Sequence, residues 1–239
     1  MGTLINIKWF PNSWFQIKTE NQIIYIDPAY LSTYFAKYPK RIEFSKWPDP
    51  IDGLPEELEK ANVILITHNH KDHCKSVTVN RLKRADTLVV APKRCVKELG
   101  DNIKTIMPGD EIAFGDTKIQ AVWAYNTGQG SSTRKVHHKG QGVGYVITLD
   151  GKRIYHAGDT DFVDEMREIG RIDVALLPIG GKYTMDVREA AEVALALKSR
   201  VVIPMHHLKA DPQEFKRRLA AKSDIKVVPL GISEVFQIR

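Results

Sequence analysis

Apolar positions follow two rhythms along the chain, and the change from one to the other divides it. Near the start, LINIKWF (residues 4–10), WFQIKT (14–19) and QIIYID (22–27) alternate apolar and polar positions or run short and β-branched, as strands do. The polar TENQ between the last two reads as a hairpin turn. A buried strand NVILI (62–66) follows, then DTLVVAP (86–92), a helical KRCVKELG closed by Gly100, and the alternating meander of residues 104–125. From residue 143 the pattern becomes regular. Strand VGYVITL and KRIYH precede helix FVDEMREIG (162–170), strand IDVALLPIG, helix VREAAEVALALK (187–198), strand RVVIPMHH (200–207), helix PQEFKRRLAAK (212–222), KVVPL and a last strand SEVFQI. Helices alternating with strands after a β-rich opening predict an α/β protein with helices outside a pair of central sheets.

Residues 29–55 break both rhythms. Five prolines from Pro28 to Pro55 exclude a long regular element, while Tyr30, Tyr34, Phe35, Tyr38, Phe44 and Trp47 argue against disorder. An ordered surface excursion packed on its own domain is expected, leading into a helical PEELEKA.

Composition narrows the class. With 239 residues and 43% apolar content, one domain spanning 1–239 is the simplest organisation. No apolar run reaches the roughly 18 residues of a membrane span, and the N-terminus lacks a basic segment followed by an apolar one. A soluble, cytoplasmic protein is expected. Cys74 and Cys95 are too few for a disulfide framework and read as free thiols. The net charge of +6 is spread along the chain, so a small-molecule substrate, if anything an anionic one, fits better than nucleic acid. An oligomer stays open.

The chemistry gathers at the end of the strand VILI. His68, His70, Asp72 and His73 follow within a turn, and imidazole with carboxylate is a donor set for a metal such as zinc. The string THNHKDH (67–73) resembles the T-H-x-H-x-D-H pattern of the metallo-β-lactamase superfamily, and further matches extend across most of the chain. The resemblance implies the four-layer αββα sandwich of that family and a metal-dependent hydrolase. It assigns His68 and His70 to one metal and Asp72 and His73 to a second, Asp159 of the GDT motif as the bridge, and His206 after IPM as the last ligand of the second site. His207 would point the other way on an extended backbone. Asp27 of the IDP motif is either support for the metal site or an ordinary strand-ending turn.

One position departs from the family. Many relatives carry a histidine directly after the strand that here ends AVWAY, where this chain has Asn126, and an amide is a poor zinc ligand. The run AYN, VHHKG, VGY, YHAGDTD resembles the branch of ascorbate-6-phosphate lactonase-like and N-acylphosphatidylethanolamine phospholipase D-like proteins, in which a loop histidine takes that place. His137 is the assignment, with His138 the alternative, carried by a mobile loop whose closure would couple to metal affinity.

Two divalent cations are therefore implied, zinc by default, with manganese, iron or nickel accepted by similar donors. Between them a water becomes a nucleophilic hydroxide able to attack a small ester, lactone or phosphodiester, with Asp72 and Asp159 the residues nearest the chemistry. A nuclease of the same superfamily and a metal-binding scaffold or sensor without turnover are the other readings. His156, Lys182 and Tyr183 are weaker candidates for the site's surroundings.

Overall fold

The structure, a computed structural model, describes residues 3–29 and 58–239; the aromatic, proline-rich excursion falls almost entirely outside the described residues. The chain divides into two compact units, Met1–Thr105 with Ile232–Arg239, and Ile106–Gly231. Each is built on one seven-stranded mixed sheet.

The first sheet opens as an antiparallel meander. β1 (Ile5–Phe10) points Ile5 and Ile7 into the core and leaves Asn6 and Lys8 half-buried, as its alternation predicts. It pairs with β2 (Trp14–Lys18), which pairs with β3 (Ile23–Ile26) across the expected TENQ turn. β14 (Val235–Ile238) returns from the chain's end to flank β1. Beyond β3 the pairing turns parallel through β4 (Val63–Leu65), β5 (Leu88–Ala91) and β6 (Lys104–Thr105). Parallel neighbours need a crossover, and α1 (Ser76–Leu82) makes the one between β4 and β5. Val79 and Leu82 of α1 pack with Ile64, Ile66, Val89, Phe10, Trp14 and Tyr25. Burying one such aliphatic side chain is worth about 1.5–3 kcal/mol. The helix expected at KRCVKELG is a 3-10 turn, Lys93–Cys95, running into the short α2 (Val96–Leu99), and it stops at Gly100 as read. Cys74 and Cys95 are both free and buried. A hydrogen bond to the Cys95 thiol, then burial, pushes the Cys74 thiol far above its ordinary range, so it packs rather than reacts.

The second sheet repeats the plan. β7 (Glu111–Phe114), β8 (Thr117–Ala124), β9 (Gly142–Leu149) and β10 (Lys152–His156) form an antiparallel meander. β11 (Val174–Pro178), β12 (Val201–Met205) and β13 (Lys226–Val227) then add in parallel. α3 (Val187–Ala196) is capped by Asp186, which accepts from the Glu189 N–H at 2.8 Å, and it buries Val187, Ala190, Ala191, Val193 and Ala194. α4 (Pro212–Ala220) has proline at its first position and seats Phe215 and Leu219. FVDEMREIG forms no α-helix. Only Asp164–Glu168 turns, as a 3-10 segment; its buried anchors Val163 and Met166 lie three apart, and Gly170 (φ 79°) ends it.

Both sheets place the ends of adjacent strands side by side. Ile26 pairs with Leu65, so Asp27 and Thr67 leave the first sheet together. In the second, Tyr145 lies beside His156 and Pro178 beside Met205, so the chain after β10, after β11 and after β12 emerges on one edge with the loop between β8 and β9. Loops at the carboxyl ends of parallel strands are where α/β sheets bind ligands. Among the described residues no helix is long and apolar enough to cross a membrane.

Candidate metal centre

In the first unit the donors are set by a buried chain of hydrogen bonds. Asp27, one residue past β3, takes the left-handed conformation (φ 48°). Its Oδ1 accepts from the Thr67 N–H at 2.7 Å, and its Oδ2 accepts from the Thr67 hydroxyl and from Nδ1 of His73, each at 2.6 Å. Because the single hydroxyl proton of Thr67 goes to Asp27, Nδ1 of His68, 2.9 Å from that oxygen, must be the donor there. His68 and His73 therefore both carry the proton on Nδ1 and turn Nε2, with its lone pair, the other way. His68 Nε2 stands 3.1 Å from His70 Nδ1, and His73 Nε2 stands 3.6 Å from Asp72 Oδ2. The Asn12 amide, in the turn between β1 and β2, donates to the same Asp72 oxygen at 3.2 Å. Asp27 thus sits behind the donors, where the sequence left its role open.

In the second unit Asp159 is the meeting point. Gly158 takes a positive φ of 67° that a side chain would resist, its N–H donates to Nδ1 of His156 at 3.1 Å, and this turn presents Asp159 just past β10. His156 is thereby a satisfied histidine that shapes the turn. His206, the residue after β12, is also left-handed (φ 47°) and brings Nε2 to 3.2 Å from Asp159 Oδ2. His207 turns back instead, donating from Nε2 to the Pro204 carbonyl at 2.9 Å, and burial pushes its pKa down.

The loop histidines separate as clearly. His137 is buried and His138 exposed. Nδ1 of His137 donates to the Tyr183 carbonyl at 3.1 Å, which leaves Nε2 as the lone-pair nitrogen, 3.4 Å from Asp159 Oδ2. Asn126 does not replace the missing imidazole as a donor atom; it holds His137, accepting from the Val136 and His137 N–H groups.

The loop carrying His137 is tied down rather than loose. Buried Asp161 accepts from the Thr127 N–H (2.9 Å), the Ser132 N–H (3.1 Å) and Lys135 Nζ (3.0 Å). Buried Glu189, on the first turn of α3, accepts from the Ser131 N–H at 3.0 Å, from the Ser131 hydroxyl, and from the Phe162 N–H at 3.2 Å. Thr133 and Arg134 pair with the Gly181 and Lys182 carbonyls. Charge-assisted bonds of this kind hold a loop through its backbone.

These donors fit a divalent metal. Two atoms each about 2.0–2.1 Å from one zinc stand about 3.3 Å apart in tetrahedral geometry. The within-unit separations of 3.1, 3.2, 3.4 and 3.6 Å cluster at that edge length. Within each unit, imidazole nitrogens and a carboxylate at that spacing, in largely buried surroundings, suit a cation better than they suit one another.

Asn12, Asp161, Glu189 and the Tyr183 carbonyl escaped the sequence reading. Asp161 closes the GDTD string and Glu189 follows the Asp186 cap by three, but neither pattern says that the carboxylate turns inward. Lys182, by contrast, is exposed, its Nζ 5.0 Å from the centre of the Tyr183 ring.

Comparison with known proteins gives the family. The model of the Beta-lactamase superfamily domain matches residues 6–206. A UPF0173 metal-dependent hydrolase of Thermoplasma volcanium is 35% identical over 235 residues, covering 94% of this chain and 96% of that one. Another from Thermococcus onnurineus is 40% identical over 190 residues, 74% of this chain and 82% of the relative. Among solved structures, a putative metal-dependent hydrolase from Parabacteroides distasonis superposes with a TM-score of 0.80 at 31% identity, covering 97% and 94% of the two chains. Igni18, a metallo hydrolase from Ignicoccus hospitalis, gives 0.76 at 27% identity over 99% of each. The α/β fold class read from the sequence is the one these neighbours share, and the chain belongs to the UPF0173 metal-dependent hydrolase family of the metallo-β-lactamase superfamily.

Proposed function

We propose that this chain hydrolyses a small ester, lactone or phosphodiester with the help of two divalent metal ions, zinc first among them. His68, His70 and His137 would hold one ion, Asp72, His73 and His206 the other, with Asp159 shared. The observation that carries the reading is the common orientation of the donors. His68, His73 and His137 each spend Nδ1 on a fixed acceptor and turn Nε2 away from it, and the donor separations within each unit match the edge of a metal's coordination shell.

Two such ions supply Lewis acidity that makes water a nucleophile at neutral pH and polarises the carbonyl or phosphoryl oxygen of the substrate. The chain's own residues do the rest. Asp72 Oδ2, held by the Asn12 amide, is the carboxylate oxygen available to orient the attacking water and accept its proton. Asp27 fixes the ring of His73 and increases its basicity. Exposed Arg134 and Lys182, brought together by the bond from the Arg134 N–H to the Lys182 carbonyl, favour an anionic substrate. The motifs shared with the lactonase-like branch favour a lactone or phosphodiester over a simple ester. Free buried thiols suit a reducing cytoplasm.

Two measurements test the reading together. Metal analysis of protein purified without added metal is expected to give two equivalents, and metal-exchanged protein is expected to turn over a member of an ester, lactone and phosphodiester panel. One equivalent or none, with no turnover across the panel, would leave a binding scaffold in its place.

A further inference from the structure

Asn126 stands where a ligand histidine is expected, and its side chain is used at both ends. Its Oδ1 accepts from the Val136 N–H at 3.0 Å, the His137 N–H at 2.9 Å and Nδ1 of His137 at 3.2 Å. Its Nδ2 donates to the Tyr183 carbonyl at 2.9 Å, the same oxygen that takes the His137 Nδ1 proton at 3.1 Å. Its own N–H donates to the His137 carbonyl at 2.7 Å. The backbone partners can only donate and Tyr183 O can only accept, so they fix both the amide's orientation and the ring proton. A histidine at 126 could not accept from two consecutive N–H groups while donating to Tyr183, and alanine would do neither.

We propose that Asn126 is a positioning residue that commits His137 to the Nδ1-protonated tautomer before any metal arrives. Histidine in water prefers the proton on Nε2, the nitrogen that here faces Asp159 Oδ2 at 3.4 Å. The Asn126 and Tyr183 cradle reverses that preference, so Nε2 offers its lone pair without a tautomer change. The consequence for metal binding rests on the proposed role of His137 as a ligand; the tautomer itself does not.

The test is a long-range proton–nitrogen correlation spectrum of the imidazole rings in metal-free protein, at about pH 8 where histidine is neutral. His137 is expected to show a protonated Nδ1 and a bare Nε2. In Asn126→Leu the ring is expected to revert to a mixture rich in Nε2–H, with affinity for zinc lowered about 10- to 100-fold in competition with a chromophoric chelator. Asn126→Asp, which keeps the acceptor toward both N–H groups and the ring but loses the donor to the Tyr183 carbonyl, is expected to restore the tautomer with only part of the affinity. An Nε2-protonated His137 in the unmodified protein overturns the proposal whatever the leucine variant does. So does a leucine variant with unchanged tautomer and affinity. Because the tautomer is read without metal, its failure is separate from a failure of the metal reading, which appears as missing metal in the unmodified protein.

Discussion

The carboxylate of Asp27 lies 2.6 Å from Nδ1 of His73, and both side chains are closed to solvent. The same carboxylate holds Thr67 through its N–H and its hydroxyl, so one buried anion organises two of the donors that leave β4. Removing it outright strands several buried donors at about 1–3 kcal/mol each, which threatens the fold itself. Asp27→Asn is the better probe, since an amide keeps one accepting oxygen and puts a donor where the other oxygen accepted. Metal affinity is expected to fall about 10- to 100-fold, as for other partners behind a metal-bound imidazole. Competition against a chelating dye checks this, and a variant binding zinc like its parent would reduce Asp27 to a turn residue.

Gly180 makes a second prediction. A Cβ at that position would meet the His206 carbonyl at 2.6 Å and Leu208 Cδ1 at 3.1 Å, so the glycine lets the chain after β11 pass against the chain after β12. Gly180→Ala must push the left-handed His206 aside. Overpacking of this kind costs about 1–3 kcal/mol, and the donor next to Asp159 is displaced with it. Urea unfolding is expected to show the lost stability, and metal analysis a loss confined to one equivalent. A variant with the parent's unfolding midpoint would mean that the backbone yields there without cost.

The strands and the parallel half of each sheet were legible because period-two alternation and β-branched runs are local signals. The donors near strand ends were legible for the same reason: His206 follows an apolar run directly, His68 follows one after Thr67, and Asp159 lies three residues past the end of β10. What could not be read was inward-facing polarity. Asp161, Glu189 and Asn12 look like surface residues until the loops they hold are in view. Asn126 misled in a particular way, since a missing ligand suggests a weakened site, whereas the side chain clamps the loop that supplies His137. The expected helix at FVDEMREIG failed because a helix this short is marginal on its own and Gly170 ends the segment.

A pH-dependent contribution is expected at Glu165, away from the donors. Burial alone would raise its carboxyl pKa, but Lys139 at 2.8 Å, its own backbone N–H and the Tyr125 hydroxyl at 3.0 Å outweigh burial and hold it below the ordinary range. With the folded value lower than the unfolded one, the unfolded chain binds more protons in between, so stability rises with pH there. The contribution is complete above the unfolded carboxyl value of about 4.3 and disappears as pH falls through the folded value. Glu165→Gln should therefore unfold at slightly lower urea than its parent near neutrality, and the two midpoints should converge in acid. A gap that stays constant across the pH range would assign the difference to packing.

Asp72 tests the chemistry most directly. Its Oδ2 accepts from the Asn12 amide at 3.2 Å, so the carboxylate is oriented while its side chain keeps 14% exposure to solvent. A carboxylate both oriented and reached by water is placed to take a proton, whereas the enclosed Asp27 is not. Asp72→Ala is expected to lower turnover on whichever panel substrate is cleaved by at least about 100-fold, the lower range for a positioned base. The fold and the metal held by His68 and His70 should survive, because His68 is held through Thr67 and Asp27 and neither bond involves Asp72. Asn12→Ala leaves the carboxylate but frees its orientation, so it should cost less than Asp72→Ala and shift the pH profile of turnover rather than abolish it. Equal turnover in the parent and Asp72→Ala, with both metals still bound, would place the proton acceptor elsewhere.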